Sequence, residues 1–266
     1  MIKAAAIRAR VGSSLVSARR PAHRAARSGI PHRAIKPEST AVVLIEYQVS
    51  ALRRSRPALP SPPDPVAIPA LTPPLQNEFT TEGGKLHDGV KGVMEETGML
   101  EKTQKVVSQA RDAGCKIVHA PITFSDDYNE LKGEFGILKA VKDGGCFKAS
   151  EWGGAICDEL KPADGDIVVA GKRGLDGFAS TNLDFILRQN GIDTVVLGGF
   201  LTNCCVESTM RTAYEKGFDV VTLTDCTAAL SPEEQAASVE KTYPMFSRPM
   251  TAEKFISEEL PANVKA

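Results

Sequence analysis

Short apolar runs, spaced by stretches of helical period, constrain this chain more than any other feature. Ala41–Ile45, Cys115–Ala120, Asp166–Ala170, Thr194–Leu197 and Phe218–Leu223 are rich in Val, Ile and Leu. Runs of this kind suit strands covered on both faces. Between them the period lengthens. Leu100, Thr103, Val107, Ala110 and Ala113 share a helix face that Gly114 ends. Ser180 and Thr181 can cap a helix through Leu183, Ile186 and Leu187, closed by Gly191. Gly198-Gly199 ends the fourth run, after which Val206, Thr209, Met210, Ala213 and Tyr214 fall on one face and Gly217 closes it. Ser231-Pro232-Glu233-Glu234 opens a last helix with a cap, proline at its first position and acids in its first turn. Residues 125–165 read as irregular, with a short helix near Ala155–Leu160, and a final short strand falls around Lys254–Ile256. Strands alternating with helices predict an α/β fold with a mainly parallel sheet covered on both sides.

The 266 residues carry a net charge of -1, from 32 basic and 33 acidic residues, so bulk charge does not point to nucleic acid. No apolar run is long enough to span a membrane. The six cysteines form no CxxC pair, which fits free thiols in a reducing compartment.

Charge is nevertheless unevenly placed. Residues 1–37 hold seven arginines and two lysines with no acid, and are rich in Ala and Ser. That composition matches a disordered mitochondrial or chloroplast transit peptide; a basic tail from a wrongly chosen start codon is the alternative. A second atypical stretch, residues 49–76, holds eight of the 17 prolines and can neither join a sheet nor run as a helix. It is far longer than the usual loop of roughly 4–6 residues. Val49-Ser50 can be encoded by a splice-donor-like GTGAGT and Gln76 by an acceptor-like CAG, so the stretch reads as a retained intron interrupting a domain over 38–260. A proline-rich ligand for a partner domain is the alternative reading.

In open parallel sheets, ligands bind beyond the carboxyl ends of the strands. Glu46 follows the first run, His119 ends the second, Lys172 follows the third, Cys204 and Cys205 the fourth and Asp225 the fifth. Cys204 and Cys205 fall where a turn becomes a helix, and the unpaired N–H groups and helix dipole there favour a thiolate. Small buried hydrophobes are the other reading of that pair. A carboxylate at Glu46 can take a thiol proton, and an ammonium at Lys172 can stabilise developing negative charge. Glu46 and Lys172 can equally be a surface acid and a solvated loop charge.

Three segments carry a more specific resemblance: LIEYQ at residues 44–48, GKRGLDGFASTNLDFILR from Gly171, and GGFLTNCCVESTMRTAYEKGFDV from Gly198. Their order and spacing resemble the isochorismatase-like cysteine hydrolase family. The resemblance implies a Rossmann-like, three-layer α/β/α fold around a mainly parallel sheet of roughly six strands. It makes Cys205 the nucleophile, Glu46 the base and Lys172 the electrostatic partner. It also implies a cis peptide at Phe200–Leu201 and an oxyanion hole from the N–H groups of Leu201 and Cys205. The implied activity is hydrolysis of a small amide, carbamoyl or related metabolite by a homo-oligomer without a cofactor. The partner is then a small-molecule substrate rather than nucleic acid or membrane.

The sequence departs from the family pattern at two places. The family acid is usually Asp, and here it is Glu46, one methylene longer. The nicotinamidase branch carries a metal-binding Asp-x-His after the second strand, where this chain reads His119-Ala120-Pro121-Ile122-Thr123. No metal site is therefore expected, and His119 reads as a buried or edge histidine. A catalytically silent binding or scaffolding protein of the same fold is the alternative function.

Overall fold

A computed structural model describes residues 35–46 and 78–261. The basic segment up to residue 34 and the proline-rich stretch 49–76 lie outside the described residues, so the transit-peptide and intron readings do too. The description begins at Ile35, which is buried in the core, so the folded domain takes in residues just before 38.

Six strands form one parallel sheet: β1 (Thr40–Ile45), β2 (Lys116–Ala120), β3 (Ile167–Val168), β4 (Thr194–Phe200), β5 (Asp219–Ala228) and β6 (Arg248–Met250). Their spatial order is β3-β2-β1-β4-β5-β6, with every pair parallel. All six residues of β1 are buried. Because side chains alternate across a strand, Val42 and Leu44 enter one core layer, and Ala41, Val43 and Ile45 enter the other. The first layer is filled from helices α1 (His87–Thr97) and α2 (Met99–Asp112) by Val90, Met94, Met99 and Val106. The second is filled from α4 (Leu183–Gln189) and α5 (Glu207–Glu215) by Leu183, Leu187, Met210 and Ala213. This is the expected three-layer α/β/α arrangement.

Several boundaries differ from the sequence reading. Helix α1 was not expected, since Gly89 and Gly92 each weaken a helix interior by about 1 kcal/mol; burial of His87, Val90, Val93 and Met94 at helical spacing overrides them. Helix α3 (Gly136–Gly144) was likewise read as irregular, because it buries only Val141. The helix expected near Ala155–Leu160 shrinks to one tight turn, Asp158–Leu160, with Cys157 extended before it. β3 is shorter than expected because it is an edge strand paired only with β2.

β4 does not stop at Gly198-Gly199 but runs through them to Phe200. β5 extends to Ala228 and so contains Asp225, whose carboxylate accepts from the Ala252 N–H at 2.7 Å and pairs with Lys102 at 3.1 Å. Asp225 is therefore a structural anchor rather than a strand-end reactive group. The strand expected around Lys254–Ile256 is helical instead. Thr251 Oγ1 caps α8 (Ala252–Lys254) by accepting from the Lys254 N–H at 3.2 Å. The true last strand, β6, was masked by Pro249, which is tolerated only because β6 lies at the sheet edge.

The expected cap of α6 (Pro232–Ala237) forms: Ser231 Oγ accepts from the Glu234 N–H at 3.2 Å. One turn later, Gln235 uses its whole amide. Its Oε1 accepts from Thr202 Oγ1 at 2.6 Å and from the Ala229 N–H at 3.0 Å, while Nε2 donates to the carbonyls of Thr224 and Thr227 at 3.2 Å each. The buried Tyr243 hydroxyl donates to the Thr202 carbonyl at 3.1 Å. The turn that follows β4 is thus bolted to the end of β5 through one side chain. Gln235→Leu leaves these groups without partners and is expected to destabilise the fold by roughly 1–3 kcal/mol. Urea unfolding followed by circular dichroism checks this; an unchanged midpoint would contradict it.

Candidate active site

The site begins with the register of β1 against β4. Ile45 pairs with Gly199, so Glu46, just beyond β1, emerges beside Phe200, the last residue of β4, and the Leu201 that follows it. Gly199 has φ of 131°, and a Cβ there would lie 1.8 Å from the Ile45 carbonyl oxygen. Only glycine permits this close approach. The Phe200–Leu201 peptide is cis. Beyond it, a wide helical turn (Thr202–Val206) leads into α5, and the N–H groups of Cys204 and Val206 both return to the Leu201 carbonyl, at 3.1 and 3.2 Å. That double bond pattern fixes Cys205 relative to Leu201.

Glu46 leaves the strand with φ of 59°, a left-handed conformation uncommon for residues other than glycine. The turn tucks its carboxylate inward, leaving it only 2% exposed. Lys172 is fully buried, and its Nζ donates to Glu46 Oε1 and, at 2.9 Å, to the Gly174 carbonyl. Both sequence readings that left these charges on the surface are therefore overturned. Burial alone pulls the Lys172 ammonium down. The charge of Glu46, the charge that Cys205 can carry, and the hydrogen bond to Glu46 outweigh it and hold the ammonium above the ordinary lysine value.

Cys205 is buried, and its Sγ lies 4.0 Å from Cys204 Sγ. The helix-start position was expected to favour a thiolate. Instead, the hydrogen bond to Cys204, then burial, then the charge of Glu46 push the Cys205 thiol well above the ordinary range, with Lys172 pulling the other way. Accepting that bond draws the half-buried Cys204 thiol down. The expected field is present but is outweighed by desolvation and a neighbouring carboxylate.

Glu46, Leu201 and Cys205 all line one cavity of about 200 Å³. Besides Leu175 and Leu201 from the quoted motifs, its walls come from α3 and from segments that the sequence showed no motif for. Phe79 stacks on Phe200 with centroids 4.9 Å apart and meets Phe147 at 5.4 Å. Behind this wall Glu78, itself buried, accepts from the N–H groups of Lys85 and Phe147 at 3.2 Å each. Burial raises its pKa, and the Phe147 N–H and Lys85 oppose the shift. Gly153 packs so closely on this carboxylate that a Cβ would come within 2.3 Å of it. The acid following residue 77 had no periodicity or motif to betray it.

Thr209 is a second such residue. It was read only as a position on a helix face and in a motif, yet it joins the two halves of the site. Its Oγ1 donates to the Cys205 carbonyl at 2.7 Å and accepts from the Gly177 N–H at 2.8 Å, tying the cysteine turn to the loop that carries Lys172. Asp176 adds a parallel tie, accepting from Thr212 Oγ1 at 3.0 Å. His119 is buried away from the cavity lining. Its Nε2 faces Asp166 at 3.3 Å, and Asp166 is also held by Arg111 at 2.7 Å. Burial lowers the His119 pKa despite Asp166, so the ring is neutral. No group of three His, Cys, Asp or Glu side chains able to hold a metal occurs among the described residues.

Glu46 and Cys205 thus meet on one cavity at the carboxyl edge of the parallel sheet, with Lys172 paired to Glu46. The chain belongs to the isochorismatase family: the isochorismatase domain matches residues 74–254. The chain is 32% identical to ureidoacrylate amidohydrolase RutB of Rhizobium rhizogenes (strain K84) over 225 residues, covering 77% of this chain and 91% of the relative. It is also 30% identical to the uncharacterized isochorismatase family protein YwoC of Bacillus subtilis (strain 168) over 173 residues, covering 65% and 89%. Among solved structures, a cysteine hydrolase from Pseudomonas syringae pv. phaseolicola 1448A superposes with a TM-score of 0.66 at 21% identity, covering 84% of this chain and 93% of that one. N-carbamoylsarcosine amidase from Thermoplasma acidophilum superposes with a TM-score of 0.53 at 22% identity, covering 81% and 97%. Both share the fold.

The thiol's elevated pKa has a measurable consequence. Alkylation of Cys205 by iodoacetamide is expected to keep rising through pH ~9, beyond the ~8.5 at which an ordinary thiol is half ionised. Cys204→Ala removes the largest cause of the shift and should move the rise to lower pH. Mass spectrometry of the Cys205 peptide across pH follows both; a wild-type plateau below pH ~8 would contradict the assignment.

Proposed function

We propose that this protein hydrolyses the C–N bond of a small amide or carbamoyl compound, with Cys205 as nucleophile, Glu46 as base and Lys172 as electrostatic partner. The observation that carries the reading is that Glu46, paired with the buried Lys172, opens together with Cys205 onto one cavity. Amidohydrolase relatives support the C–N bond as the target.

In this mechanism the substrate carbonyl enters beside Cys205. The thiol proton passes to Glu46 as Sγ bonds to the carbonyl carbon, and the N–H groups of Leu201 and Cys205 receive the oxyanion. Collapse breaks the C–N bond, and the proton on Glu46 goes to the leaving nitrogen. Water then attacks the thioester with Glu46 again as base, and the acid departs as the thiol is restored. Lys172 holds Glu46 in place and stabilises the thiolate as it forms. Glu46 in place of the family's usual Asp is accommodated by the left-handed turn at the end of β1, which folds the longer side chain back onto Lys172.

Assays of a panel of amides and ureides test this. Cys205→Ala should lower kcat by at least about a thousandfold. Glu46→Gln should cost on the order of 10²–10⁴, and Lys172→Met roughly 10²–10³. Glu46→Asp retains a base but draws it back, and should cost roughly 10–100-fold. Turnover unaffected by Cys205→Ala would remove the mechanism.

The proline-rich stretch bears on the same site. Glu46 precedes it and Phe79 follows it, and both line the cavity. A chain lacking residues 49–76 joins Glu46 to Glu78 through Tyr47, Gln48 and Asn77, and the family match starts only at residue 74, near the end of the stretch. The shortened protein is therefore expected to equal or exceed the full chain in kcat/KM. A deletion that abolishes activity while leaving the circular dichroism spectrum intact would show the stretch to be a working part of the site.

A further inference from the structure

We infer that the substrate is a neutral amide whose non-reacting end is apolar and about the size of one ring. The inference rests on the hydrolytic reading above and deepens it. Apart from Glu46, Cys146 and Cys205, every described residue lining the cavity is Ala, Val, Leu, Ile or Phe. Cys146 is held neutral, its thiol pushed up to about 11 by burial. Glu46 is the one ionisable acid among these residues, and its charge is matched by Lys172. No Lys, Arg or His is among them.

The cations on neighbouring segments have other partners. Arg173 bonds Glu130 at 3.0 Å and Thr123 at 3.3 Å. Lys148 pairs with Glu151 at 3.1 Å, and Lys142 donates to the Leu131 carbonyl at 3.3 Å. Lys85 is held by the Gly145 carbonyl and by Glu151. A substrate carboxylate entering this cavity would lose its water, find no cation among the described lining residues, and lie near Glu46. Burying an unpaired charge is among the costliest acts in a protein interior. Ureidoacrylate, the substrate in the name of the RutB relatives, is a carboxylate. This cavity is unsuited to it.

Size narrows the class further. An apolar cavity of about 150 Å³ accommodates benzene. The cavity here, about 200 Å³, has room for such a ring with its carboxamide. Phe79, backed by the stacked Phe200, and the tilted Phe147 give the lining two aromatic rings on which a substrate ring can pack.

The test uses a pair of near-identical shape, 4-nitrobenzamide and 4-carbamoylbenzoate, which differ in charge. Binding is measured by calorimetry on full-length Cys205→Ala, and hydrolysis on the wild type. The neutral twin should bind at least about tenfold more tightly and be hydrolysed with a correspondingly higher kcat/KM. Ile137→Arg, at the partly exposed edge of the cavity, should narrow or reverse that ratio. Equal binding, tighter binding of the carboxylate, or binding of neither twin overturns the inference. If the neutral twin binds preferentially but the wild type hydrolyses neither, the substrate class stands and the hydrolytic reading fails. If the carboxylate is hydrolysed faster, the hydrolytic reading stands and the class fails.

Discussion

The site depends on the approach of the Ile45 carbonyl to Gly199. A Cβ at position 199 would overlap that oxygen, so the two central strands can meet in this register only with glycine there. The consequence is geometric. β1 ends one residue short of β4, so Glu46 emerges next to Phe200 and the turn that follows it. Thr209 then draws in the third component by linking the Cys205 carbonyl to Gly177, in the loop behind Lys172. Gln235 holds the turn from the opposite side through Thr202. No part of the site rests on a long flexible loop among the described residues. Glu46 and Cys205 hang from a strand end and a helix start, and the loop that carries Lys172 is tied to the cysteine turn by Thr209.

That rigidity explains how Lys172 can be fully buried. Taking an ammonium out of water costs several kcal/mol even after relaxation, and the cost is offset only by good geometry with a partner and further hydrogen bonds. Lys172 has both, in Glu46 and the Gly174 carbonyl. A pair of this kind adds little net stability. What it supplies is a fixed position for the Glu46 carboxylate.

Much of this was legible in the sequence. The short β-branched runs and the 3.6-residue spacing of Thr103, Val107 and Ala110 carry the α/β alternation, and strand ends point to Glu46, Lys172 and Cys205. Elements whose local signals conflict with their tertiary burial were not legible. α1 carries two glycines and is held by packing; α3 buries one residue; β6 contains a proline that its edge position tolerates. The same limit applies to Glu78 and Gln235. A buried acid that grips two backbone N–H groups looks like a surface acid until its partners, 69 residues away in the case of Phe147, are known. The state of the thiol was misread for a related reason. The dipole and N–H groups of a helix start are local and readable, whereas desolvation and the neighbouring carboxylate arrive through the fold.

Apolar walls and a charged pair look contradictory until the charges are followed through the proposed reaction. At rest the site holds a carboxylate, an ammonium and a thiol, and its net charge is zero. When the thiol proton moves to Glu46, the site holds a carboxylic acid, an ammonium and a thiolate, and the net charge is still zero. The balance holds because the proton moves within the site, beside the buried Lys172, so neither state needs a proton from outside or a counterion from solvent. A low-dielectric cavity can support such a cycle because no step places an unpaired charge in it. The same condition applies to what enters. A neutral amide preserves the balance, and its reacting carbonyl meets the charged pair and the cysteine turn at one end of the described lining. A charged one would break the balance on binding, before any bond is made.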